Sequence, residues 1–142
     1  MFLDALLLLS DAQAVTTDAV STNTIDLGAA NRKIGTGKPL VVLLAIDVAA
    51  DITTGDETYA FEVIQSAAAN LSSPDVLVRR VIVAADLKAG RTQTVGIPIG
   101  TPTKQYLGMN YDTGGTTPTI TVTAAVVPQE FVAQQDYYPG VF

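Results

Sequence analysis

Short runs of β-branched residues, each closed by a cluster of turn formers, dominate this chain. Val, Ile and Thr supply 43 of its 142 residues, and a side chain branched at Cβ fits a pleated, half-buried surface better than a helix. The runs predict strands over 20–27, 40–48, 58–66, 76–84, 92–99, 104–111 and 119–127. The gaps at 28–39, 51–56, 70–75, 88–91, 100–102 and 112–118 are rich in Gly, Pro, Asn, Asp or Thr, residues that turn a chain for steric and hydrogen-bonding reasons.

Periodicity supports the strands. Ile120, Val122 and Val126 share one face; Val95, Ile97 and Ile99 oppose Thr92, Thr94 and Gly96; Leu107, Met109 and Tyr111 oppose Lys104, Tyr106 and Asn110. Such alternation marks a strand with one buried and one wetter face. Residues 40–46 are apolar on both faces, as a central covered strand is. Helical patterns are confined to about 66–71 and 84–89, too short to stand alone. The expectation is therefore all-β: one domain over 1–142, an antiparallel jelly roll or β-sandwich of about seven to eight strands. An N-terminal arm over about 1–18 and an aromatic C-terminal arm over about 129–142 flank it.

Composition narrows the function classes. The chain contains no Cys and no His, which removes thiolate chemistry, disulfides, the commonest general base and the commonest metal ligands. Fourteen acids against eight bases leave a net charge of −6, with no basic run longer than two residues, so no nucleic-acid partner is expected. The longest apolar stretch, 40–46, falls short of the roughly 20 residues needed to cross a bilayer, so no membrane partner is expected either. The apolar opening carries Asp4 where a secretory leader wants a basic residue.

Three constellations invite a chemical reading and fail it. Gly35-Thr36-Gly37-Lys38 resembles a phosphate cradle, but Arg32 occupies the first required glycine position and Pro39 replaces the Ser or Thr. Residues 51–57 bring Asp51, Asp56 and Glu57 around Gly55, with spacing that matches no EF-hand loop; a solvated hairpin tip accounts for them. Three Glu and eleven Asp offer acid pairs for glycoside hydrolysis, yet no Trp platform accompanies them, and serine nucleophiles lack a His partner. No catalytic residue, metal ligand or cofactor is assigned, and the chain is not expected to be an enzyme.

The C-terminus is the most pointed feature. Phe131, Tyr137, Tyr138 and Phe142 crowd the last twelve residues, after Pro128 and around Pro139-Gly140, which favours an extended, irregular segment. Such rings bury themselves on a partner or fold back over the sandwich end. The greasy stretch from Phe2 to Leu9 poses the same pair of options.

In order along the chain, Ser10-Asp11-Ala12-Gln13-Ala14-Val15-Thr16, Ser21-Thr22-Asn23-Thr24-Ile25-Asp26-Leu27-Gly28, Ile34-Gly35-Thr36-Gly37-Lys38-Pro39-Leu40 and Asp136-Tyr137-Tyr138-Pro139-Gly140-Val141-Phe142 resemble a family of tailed-phage capsid cement proteins, typified by one from a Bordetella phage. Residues 51–75 depart most from that pattern. The resemblance implies a jelly-roll homo-oligomer, dimer or trimer, that decorates the outer surface of an HK97-type capsid by binding the major capsid protein. Phe2, Tyr137, Tyr138 and Phe142 are the candidate assembly contacts, on motif position and aromatic clustering. The alternative is a β-sandwich binding module of a phage fibre that recognises carbohydrate or a host surface; the absence of Trp and of repeats opposes it.

Overall fold

Strand formation follows the β-branched runs closely where both faces are covered. The computed structural model describes residues 5–34 and 37–130. Among them are nine strands: β1 (Leu8–Val15), β2 (Ala19–Val20), β3 (Ile25–Asp26), β4 (Leu40–Val48), β5 (Thr58–Ser66), β6 (Asp75–Ile82), β7 (Thr92–Gly96), β8 (Tyr106–Gly114) and β9 (Ile120–Pro128). They build two antiparallel sheets, one in the order β1-β9-β4-β7 and the other β2-β8-β5-β6, with β3 also on β8. β2 and β3 occupy successive positions along one edge of β8, with Ala19 opposite Tyr111 and Ile25 opposite Leu107. Counted as one position, they give eight strands ordered first–eighth–third–sixth and second–seventh–fourth–fifth. This is the jelly-roll order, two Greek keys wrapped into a sandwich.

The core lies between the inner faces. Val42, Leu44 and Ile46 of β4 and Val122, Ala124 and Val126 of β9 meet Tyr59, Phe61 and Val63 of β5 and Leu107, Met109 and Tyr111 of β8. Phe61 and Tyr111 pack edge to face, centroids 5.9 Å apart with the rings at 80°. That geometry sets the positive ring edge against the negative ring face. Val41 and Leu43, on the other face of β4, are also buried and cluster with Val127, as a strand apolar on both faces requires. Tyr111 is buried, and its hydroxyl shares a 2.6 Å hydrogen bond with Ser10 Oγ, which links the two sheets at one edge. Burial pushes the Tyr111 phenol well above its ordinary value of 10.0, because the phenolate would lose its hydration.

Several expected boundaries move, each for a local reason. Within the segment expected as an N-terminal arm, Leu8–Val15 is a strand of the chain's own sheet and pairs with β9. Its alternation is hidden by irregular register on both sides of Ser10 and by Ala12, whose φ is 47° and whose N–H donates to Thr123 Oγ1. The single strand expected over 20–27 is broken into β2 and β3. Between them Ser21 Oγ accepts from the Met109 N–H and donates to the Asn23 carbonyl, and Asn23 N–H turns to the Leu9 carbonyl. β7 stops at Gly96, ahead of Pro98, so Ile99 does not continue its inward face and is 72% exposed. At Gln129 and Glu130 the backbone is helical rather than extended; the fixed φ of Pro128 suits the entry to a helical turn.

Candidate interaction surface

Phe2, Tyr137, Tyr138 and Phe142 lie outside the described residues, as do Gly35 and Thr36 of the apparent phosphate cradle. Lys38, the basic member of that motif, forms an exposed ion pair with Glu130 at 3.0 Å. The chain then enters a strand, β4, rather than a helix whose N-terminus could hold phosphate.

The acidic segment 51–57 is a self-bonded turn. Asp51 Oδ1 accepts from the Thr53 N–H and hydroxyl, Glu57 accepts from the Thr54 and Gly55 N–H groups, Asp56 accepts from the Thr116 N–H and hydroxyl, and the single Thr54 hydroxyl proton is shared between Asp56 and Glu57. These bonds hold all three carboxyls below their ordinary values, with the Thr53 hydroxyl the largest influence on Asp51 and the Thr54 hydroxyl the largest on Asp56 and Glu57. Among the described residues, no three acidic side chains gather as a metal centre would require.

The lowered values make the turn sensitive to acid. A carboxyl with a depressed folded pKa adds stability above its unfolded value and loses that contribution as the pH falls through the folded one. Thr54→Val removes the hydroxyl that serves both Asp56 and Glu57. Its Tm should lie a few degrees below that of the parent at pH 7, with the gap closing as the pH drops through 4.5 and 3.8, the ordinary values of these groups, and below them. Thermal melts across that range would show it; a gap independent of pH would mean that the hydroxyl acts only through packing.

The outer face of the second sheet carries a cross-strand brace. Glu62 on β5 stands opposite Arg79 on β6 and Asn110 on β8. Arg79 Nη1 lies 2.9 Å from Glu62 Oε2 and 2.6 Å from Asp112 Oδ2, while Asn110 Nδ2 donates to Glu62 Oε1 at 2.7 Å. Asp112 and then Glu62 raise the Arg79 pKa further. With both Glu62 oxygens engaged, the cluster ties three strands together.

Two apolar grooves open at opposite ends of β4. One, of about 510 Å³, is lined by Ile52, Glu57, Tyr59 and the run from Val81 to Ala85. The other, of about 540 Å³, is lined by Leu40, Val41, Ile97, Pro98, Ile99 and Gln129, close to where the described chain ends. Ile52, Val81 and Val83 in the first are 57%, 64% and 67% exposed, so the groove offers apolar surface to solvent. These residues belong to no motif of the sequence. The indication was there in Val81-Ile82-Val83: consecutive strand residues point to opposite faces, so burial of Ile82 leaves its two neighbours outside.

No described helix is long and apolar enough to cross a membrane. The Bbp16 family model matches residues 9–127, from the start of β1 to the end of β9. No curated protein matches the chain. The match covers well over half of the sequence and nearly the whole described jelly roll, so the chain belongs to the Bbp16 family, a phage-related protein family.

Proposed function

We propose that this protein is a capsid decoration, or cement, protein that binds the outer surface of an HK97-type phage head and stabilises the shell. Its partners are the major capsid protein and further copies of itself; it needs no cofactor and performs no catalysis. The observation that carries this reading is the family match, which spans the jelly roll from 9 to 127. The physical character of the surface is consistent with it. A net charge of −6 suits docking on basic protein patches rather than on nucleic acid. Among the described strands, each sheet ends in two edge positions that a neighbouring chain can extend. Repetition over a symmetric lattice lets weak single contacts hold a shell firmly. Phe2, Tyr137, Tyr138 and Phe142 remain the proposed aromatic contacts, since large rigid rings contribute most per residue to such interfaces.

The deciding experiment is the copy number of this chain in purified virions, by quantitative mass spectrometry against the major capsid protein. A simple fixed ratio to the capsid protein, with hundreds of copies per particle, is the expected result. A handful of copies would place the sandwich in a fibre, and complete absence from the virion would remove it from the particle; either overturns the reading.

A further inference from the structure

We infer that the groove between Ile52 and Val81–Val83 is a docking site for an extended protein segment that alternates apolar and basic side chains. The inference deepens the capsid reading, on which it rests for the identity of the partner, the shell protein. Three observations meet at this place. The groove is apolar, and the three side chains that most define it are more than half exposed. Among the described residues Glu57 is the one charged side chain that lines it, Asp51, Asp56 and Asp86 adjoin lining residues along the chain and make its rim acidic, and no Lys or Arg lines it. Hydrogen bonds from Thr53, Thr54, Gly55 and Thr116 hold three of those four carboxyls in place.

β6, which brings Val81 and Ile82 to the groove, ends its sheet: among the described strands it pairs with β5 alone. Alternate backbone N–H and C=O groups along it therefore face away from the sheet, a template for an extended partner. The two arginines of β6 do not offset the acidic rim. Arg79 is held by Glu62 and Asp112, and Arg80 donates to the Thr94 carbonyl and to Gln93. Apolar residues of the partner enter the groove beside Val81 and Val83, while long basic side chains reach the rim with their charged ends in water. The opposite groove, around Ile99, is flanked by one ion pair, Lys38 with Glu130, and so has no acidic excess.

The test uses the full chain and a capped hexapeptide of alternating valine and lysine, with a valine–glutamate hexapeptide as the control. Two-dimensional NMR titration should shift the amides of Ile52 and of residues 81–85, with the response largely abolished in ~1 M salt, where the screening length is about 3 Å. Val81→Lys/Val83→Lys should weaken binding at least about tenfold, whereas Ile99→Lys should leave it within about twofold. Both variants change exposed side chains, and their melting curves verify that they fold. Shifts that are absent, that map elsewhere, or that the valine–glutamate peptide reproduces overturn the inference. Because head attachment is judged separately by virion copy number, loss of the docking site would leave the capsid reading standing.

Discussion

Phe61→Ala should lower the unfolding free energy by about 3–5 kcal/mol, the usual cost of removing a buried aromatic ring. Phe61 is 1% exposed, in the middle of β5, and β5 is flanked by β6 and β8. The ring packs edge to face on Tyr111, whose hydroxyl is fixed to Ser10 of the other sheet. Tyr111 therefore cannot swing into the vacancy without breaking a buried hydrogen bond, and the cavity collapses little. For a chain of this size each kcal/mol shifts Tm by roughly 3–4 °C, so a fall of about 10–20 °C is expected. Phe61→Leu, which keeps most of the volume, should cost well under half as much. Urea and thermal melts of both variants measure the difference; a loss below about 1 kcal/mol for Phe61→Ala would contradict the packing.

Gly115→Ala should cost at least about 2–3 kcal/mol, far more than its single methyl suggests. Gly115 follows β8 with φ at 90°, a region that an L side chain enters only with strain. A Cβ there would sit 2.3 Å from the Asp56 carbonyl oxygen and 2.8 Å from Glu57 Cα. Both contacts are backbone, so no side-chain rotation relieves them. Gly90 provides the matched control: its φ is 83°, but nothing lies within 4 Å of its Cβ position. Gly90→Ala should cost only about 1–2 kcal/mol from backbone strain, and the excess at Gly115 isolates the steric part. The same close approach seats the 51–57 turn against Thr116, whose N–H and hydroxyl both bond Asp56. Gly115→Ala should consequently displace the acidic wall of the Ile52 groove and weaken its response to the valine–lysine peptide.

The strands most legible in the sequence were those whose side chains obey one rule along their length. β4 and β5 begin and end where the β-branched and aromatic runs do, at Leu40 and Val48 and at Thr58 and Ser66. β1 was less legible because Ser10 is buried, Ala12 takes a positive φ and the register with β9 shifts twice. β2 and β3 read as one strand because nothing local announces that Ser21 will bond Met109, 88 residues away in sequence. Of the surface, the aromatic clustering at the C-terminus is plain in the sequence and lies outside the described residues. The Ile52 groove is the reverse case. Its walls come from two segments about 30 residues apart, and neither is unusual alone.

An all-β sandwich without thiol or imidazole chemistry follows from the residues alone, because branching at Cβ, alternation and residue inventory act locally and are readable one segment at a time. The jelly-roll order, the division of one edge position between β2 and β3, and the meeting of Ile52 with Val81 and Val83 in one groove arise only on folding. Those depend on which strands pair across long stretches of chain, and pairing minimises exposed apolar area and unsatisfied backbone over the whole molecule rather than within any one segment.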